Sequence, residues 1–349
     1  MSSKRPREQH DCDDNDVMPI DATPLPHGTR DSSQSVLKSS CPSSSGISRL
    51  SPRNQFRNAA LQSTGFRRAN LDLTRIQDGE DILPRELVPE LGLLALPSFA
   101  FHADDSPPRY WYPQHNIIDR LLQRAAEVEL DDEGESSWNM DVHGPVLQWV
   151  LRDRPASGPV EYRYCTAARI VSDFQPHRAP SKMVDFCLIV RPDAHEQAVI
   201  DSRCKTRPSL TINHTDWGNL SKHPIALSID SQEGSLNEAL VQIGTWHSSQ
   251  WRSIIYGSRA RGAIEFLPAI IILGHDWLFV ATTLDEDLQA TTYSSLRLGD
   301  TSSVFGIYKL LAALQRLTAW CEAEYWPAFR ADMLGLAMTT AEPSRHPGS

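Results

Sequence analysis

The chain of 349 residues has no run of about 18 consecutive apolar residues, and this excludes an ordinary membrane-spanning helix. Its first residues, MSSKRPREQHDCDDND, lack the apolar stretch of a secretion signal, so an intracellular protein is expected. The six cysteines, at 12, 41, 165, 187, 204 and 321, form neither a CxxC pair nor a Cys/His cluster. Reduced thiols are therefore expected and a structural zinc site is not. No internal repeat is visible. Positive charge is also short, with 34 Lys and Arg against 44 Asp and Glu, which at first speaks against a polyanionic partner. The deficit is local, however. Residues 81–141 hold 13 acids and 4 bases, whereas residues 142–349 hold 21 and 19. The acidic excess belongs to one segment and leaves a local basic groove possible elsewhere, although no basic stripe demands one.

What is present is the composition of a globular protein, 40% hydrophobic and 22% charged. Residues 1–80 are rich in Ser, Pro, Asp and Arg without apolar periodicity, and read as a disordered N-terminal region. KRPR at 4–7 has the make-up of a short nuclear-import signal. From residue 84 the pattern changes. QHNIIDRLLQRAAEVEL (114–130) has the apolar spacing of an amphipathic helix, and SSWNMDVHGPVLQWVLRD (136–153) resumes it, with Pro145 positioned to start or kink a segment. VEYRYCTAARIV (160–171), KMVDFCLIVRP (182–192) and PIALSID (224–230) read as strands, with a short helix at about 193–205 between the last two. SLNEALVQIGTWHSSQWRSIIYG (235–257) reads as a long helix opened by a Ser235/Glu238 capping box. EFLPAIIILG and DWLFVATTL form a hairpin across Gly274-His275, and a last long helix covers 302–334, followed by a loose tail, 335–349. Strands and helices in this mixed order imply an α/β (α+β) fold, a central mixed sheet flanked by helices.

Two acids stand out because each interrupts an apolar strand, Asp185 in KMVDFCLIV and Asp230 in PIALSID, where a lone carboxylate is costly to bury. Two such acids on paired strands repel each other unless a cation lies between them. A hard divalent ion held by oxygen ligands would polarise a phosphate and acidify a water. Gln232 shares the strand face of Asp230 through the two-residue period. The alternative is an Asp at a strand end followed by a Ser-Gln-Glu-Gly turn, with Asp185 a structural acid paired to Lys182 or an Arg. The residues alone leave both readings open. His143, His214 and His247 share no ligand spacing and read as structural. Trp138, Trp149, Trp246 and Trp251 at helical spacing read as core, and Arg252, Arg259 and Arg261 as a solvated helix end.

In order along the chain, ESSWNMDVH (135–143), KMVDFCLIV (182–190), TINHTDWGNL with HPIALSIDSQ (211–232) and QIGTW (242–246) resemble the PD-(D/E)XK nuclease superfamily, most of all its fungal nuclease-like branch. The resemblance covers residues 84–334. It implies a restriction-endonuclease-like fold and Mg²⁺- or Mn²⁺-dependent phosphodiester hydrolysis of DNA or RNA, with a possible homodimer. It makes Asp185 and Asp230 the metal-binding acids and places Gln232 where the superfamily usually has its catalytic Lys. Glu135 matches an acid that the first core helix often contributes. Gln242 and Trp246 match a Gln-x-x-x-aromatic motif on the helix after the active strand. The sequence departs from the pattern at Val184, where Pro usually precedes the first acid, and at Gln232, which brings no positive charge. A catalytically degenerate domain that binds nucleic acid or protein is therefore the rival reading.

Overall fold

FCLIV at 186–190 is apolar at every position, which suits a strand covered on both faces rather than one facing water. The computed structural model bears this out. It describes residues 63–92, 96–102, 109–154, 158–176, 183–258, 262–286 and 288–337. The N-terminal residues through 62, with KRPR, the tail from 338, and Lys182, Arg259 and Arg261 lie outside the described residues.

The longer elements run α1 (Thr64–Asp78), α2 (His115–Leu130), α3 (three continuous segments, Glu135–Trp138, Asn139–His143 and Gly144–Leu151), β1 (Val160–Tyr164), β2 (Phe186–Val190), α4 (Ala194–Cys204), β3 (Ile225–Gln232), α5 (Leu236–Gly257), β4 (Leu267–Leu273), β5 (Asp276–Leu284), β6 (Ala290–Asp300) and α6 (Val304–Trp320). The strands form one six-stranded sheet in sequential order. All neighbours are antiparallel except β3 and β4, which are parallel and joined by α5. No helix among the described residues is long and apolar enough to cross a membrane.

The two-residue period of the strands divides the core into two layers. Phe186, Leu188 and Val190 of β2 and Ile270 and Ile272 of β4 pack with α1, α3 and α6. Cys187 and Ile189, with Ala269 and Ile271, pack on the other face against Ala239, Ile243 and Trp246 of α5. α5 begins with the expected capping box: Ser235 Oγ accepts from Glu238 N, and the Glu238 side chain accepts from Ser235 N. α4 has the same device with Asp193 and Glu196. The 45-residue interval between Asp185 and Asp230 holds α4 and two short helical turns.

Two expectations need correction. The reading of residues 1–80 as disordered fails for 64–78. α1 buries Phe66, Ala69, Leu73 and Ile76 in the main core, and Arg316 of α6 pairs with its Asp72 at 2.8 Å. The packed core therefore includes α1, which lies before the boundary read from the sequence. The strand expected over 160–171 ends at Tyr164, and a sixth strand, β6, joins the sheet beyond the expected hairpin. The final helix continues after Trp320 through two wide turns to Leu334, where Gly335 ends it at φ 70°, a conformation that disfavours any residue with a Cβ.

Candidate active site

β3 carries its polar residues at its C-terminal end, where alternation sends them to opposite layers. Ser228 and Asp230 face α5. There Trp246 Nε1 donates to Ser228 Oγ at 2.9 Å, and Gln242 Nε2 donates to Asp230 Oδ1 at 2.6 Å and to the Met183 carbonyl at 2.8 Å. Gln242 and Trp246 are four residues apart, so one helical face anchors both points of the strand. Gln232, two residues past Asp230, donates from Nε2 to Asp230 Oδ2 at 3.1 Å. Ser231 faces the other way, towards α3, where its Oγ lies 3.0 Å from Asn139 Oδ1.

Asp185 stands immediately before β2. Its amide donates to the Ile229 carbonyl of β3, which fixes it beside the end of that strand. Asp185 Oδ2 accepts from Ser231 N at 2.7 Å and lies 3.1 Å from Ser231 Oγ. Glu135, in the first turn of α3, completes the cluster: its carboxyl is close enough to Asp185 for that charge to add to burial in raising its pKa, and its own amide donates to Glu233 Oε1 at 2.5 Å. The five residues read from the sequence, Glu135, Asp185, Asp230, Gln232 and Gln242, thus meet in one place although they come from α3, β3, α5 and the segment leading into β2.

Burial and mutual repulsion govern this cluster. Asp230 is 1% exposed and Asp185 is 5% exposed. Burial, then the neighbouring Asp185 charge, pushes the Asp230 carboxyl up to about 8, against the two glutamine amides, which favour its ionised form. Burial and the Asp185 charge likewise push Glu135 up to about 7. Asp185 is raised by burial and held down partly by the Ser231 amide and hydroxyl.

Among the described residues, no three His, Cys, Asp or Glu side chains stand in the geometry of a metal site. The two glutamine amides occupy both oxygens of Asp230, and the Ser231 amide and hydroxyl engage Asp185 Oδ2. The donor chemistry still fits a hard divalent ion. Carboxylate, amide and hydroxyl oxygens converge without thiol or imidazole, and three crowded acids are the arrangement that a cation would relieve.

Beside the cluster lies a cleft of about 480 Å³ whose wall includes Glu129, Asp132, Glu133, Glu135 and Glu233, together with Trp138, His143 and Gln232, and no Lys or Arg. Trp138 packs against the small buried cluster of Ala125, Val128 and Val142, yet it is not fully enclosed as expected. It is half-buried on this wall, stacked on His143 and edge-on to His275. Trp149, Trp246 and Trp251 are buried. His214 and His247 are buried away from the cleft, and burial pushes both down to about 3.

Two contributors were missed from the sequence. Ser231 stands between two residues that were singled out, but a buried serine carries no charge signal. Asn139 lies one helical turn after Glu135, and that i,i+4 spacing was the available clue. Its environment depends on a widened π turn over Asn139–His143. Pro145 has no N–H to donate to the carbonyl of Asp141, so the ordinary ladder is broken there. Gly144 is required at this place: a Cβ on it would sit 2.9 Å from the Asn139 carbonyl oxygen.

Residues 92–326, about two thirds of the chain, match the sequence model of the PD-(D/E)XK nuclease superfamily. No curated protein and no solved structure matches the chain significantly. The mixed sheet flanked by helices, with its acids gathered at one end of β2 and β3, is consistent with the restriction-endonuclease-like fold of that superfamily. By this match the chain belongs to the PD-(D/E)XK nuclease superfamily.

Proposed function

We propose that this protein is a metal-dependent nuclease that hydrolyses phosphodiester bonds of DNA or RNA at the Asp185–Asp230 cluster, with Mg²⁺ or Mn²⁺ as its cofactor. The observation that carries this reading is the convergence of Glu135, Asp185 and Asp230, three acids gathered at one partly buried place where burial opposes their ionisation and, for Glu135 and Asp230, the Asp185 charge adds to it. In this reading Asp185 and Asp230 hold the ion, which when bound polarises the phosphate and supplies a water of lowered pKa. Gln242 fixes Asp230 against α5. Glu135, the most exposed of the three acids, assists through water and takes up its proton at the cleft wall. Gln232 exchanges its contact with Asp230 for one with the attacking water, which it can orient but not charge. Asp230→Ala should abolish Mg²⁺-dependent cleavage of mixed DNA and RNA substrates, and equal turnover in that variant would sink the assignment.

A second reading, a degenerate domain that binds nucleic acid or protein without catalysis, is favoured by one observation. Among the described residues, the two glutamine amides beside Asp230 are neutral and already engaged with it, and the adjoining cleft is walled by acids. Such a domain should show no rise in melting temperature on adding Mg²⁺ or Mn²⁺, because nothing would bind the folded state preferentially. Nuclear import through KRPR and homodimer formation remain proposals from the sequence.

A further inference from the structure

One carboxylate on the outermost strand is shared by three guanidinium groups. Glu161 of β1 meets Arg152, at the end of α3, through its Nε at 3.0 Å and a terminal nitrogen at 2.7 Å. It also meets Arg163 of its own strand at 3.1 Å, and Arg191, the residue that follows β2. Asp153, beside Arg152 in the chain, accepts from the Gln148 amide at 2.8 Å. Even with that acid counted, bases outnumber acids here by three to two. Among the described residues no strand pairs with the outer side of β1, and the Arg191 side chain is 55% exposed.

The position of this edge relative to the acids matters more than its charge. The acidic cleft is lined by Ser231 and Gln232 of β3 and by Ile272 and Leu273 of β4, so it lies on the β3–β4 flank of the cluster. Its wall of carboxylates without Lys or Arg repels a phosphate backbone. The strand order puts β1 on the opposite flank, across β2. There β1 reaches the cluster, because Cys165 N donates to the Asp185 carbonyl at 2.7 Å and continues the pairing in which Arg163 opposes Cys187. Arg163 therefore stands two residues, about 7 Å of strand, from the level of Asp185. Tyr164, between the two levels, is an exposed aromatic side chain.

We propose that the β1 edge is the surface along which a nucleic-acid backbone enters the Asp185–Asp230 site, with Arg163 and Arg191 as phosphate contacts and Tyr164 as a stacking face for a base. The choice of nucleic acid as the polyanion rests on the nuclease reading. A guanidinium has five N–H donors, of which Glu161 takes only some, so phosphate oxygens can share each arginine. Glu161 meanwhile keeps the arginines side by side before the ligand arrives.

The test is fluorescence anisotropy of labelled DNA and RNA strands with the full-length protein in EDTA, over a range of salt concentrations. The double variant Arg163→Gln/Arg191→Gln should bind about tenfold or more weakly at ~0.1 M salt, and the slope of log affinity against log salt should fall by about 1.4–1.8, as for two lost phosphate contacts. Arg297→Gln removes a paired arginine from β6, at the opposite edge of the sheet, and should leave the slope unchanged. An equal loss in Arg297→Gln, a double variant that binds like wild type, or a wild type that does not bind would each overturn the proposal. Should the double variant not fold, Arg191→Gln alone should lower the slope by about 0.7–0.9, and an unchanged slope would overturn it. Because EDTA removes the metal from the measurement, binding that depends on these arginines without cleavage in Mg²⁺ would refute the catalytic reading and leave the surface standing.

Discussion

Gln242 Nε2 donates to Asp230 Oδ1 at 2.6 Å, which locks the most deeply buried acid of the sheet to the helix that follows it. The same nitrogen reaches the Met183 carbonyl at 2.8 Å, so one amide ties α5, β3 and the approach to β2 together. Gln242→Leu would leave a buried carboxyl without its shortest hydrogen bond. It should cost about 1–3 kcal/mol in urea unfolding of the metal-free protein. It should also weaken Mn²⁺ binding, because Asp230 would lose its fixed orientation.

The acids make stability depend on pH in an unusual direction. Asp230 and Glu135 are raised to about 8 and 7 from ordinary values near 4, so the folded state binds more protons than the unfolded one across that interval. Their contribution is fully present below about pH 4 and is lost as pH rises through about 7 and 8. Each proton involved gives a slope of about 1.4 kcal/mol per pH unit. Urea unfolding between pH 5 and 8 should therefore show the metal-free wild type falling relative to Asp230→Asn. Parallel curves would remove the buried acid from the account.

Gln232→Lys places a cation beside Asp230, where the superfamily usually has one. It should lower the Asp230 pKa and raise cleavage by about 10²–10³, the usual worth of one preorganised electrostatic group. The measurement is initial rate on DNA and RNA substrates in Mg²⁺. A rate unchanged by this substitution would mean that the missing charge is not what limits the site.

Leu73 is wholly buried where α1 meets the core. Leu73→Ala should destabilise the protein by about 2–5 kcal/mol in urea unfolding, and a chain cut to begin at residue 80 should fail to fold cooperatively. Wild-type stability in the shortened chain would restore the boundary read from the sequence.

That boundary shows where sequence reading ran out. In α1 the apolar residues Phe66, Ala69, Leu73 and Ile76 do recur at helical spacing, but the Arg, Asn, Asp and Thr between them join seamlessly to the Ser- and Pro-rich stretch before it. β6 was missed for a related reason: its opening, ATTYSS, alternates too little apolar character to stand out. Asp185 and Asp230 were legible because charge inside an apolar run is costly and so is informative. Ser231 and Asn139 were not, because neutral polar residues cost little on any surface. Only the fold shows that they are buried and bonded to each other across 92 residues of chain.

The central claim is that a divalent cation belongs among Glu135, Asp185 and Asp230. Its most direct test is calorimetric titration of the full-length protein with Mn²⁺ and Mg²⁺, wild type beside Asp185→Ala. Binding is expected in the wild type, with release of protons near pH 7, and should vanish in the variant. An absence of binding in the wild type, or equal binding in both proteins, would contradict it.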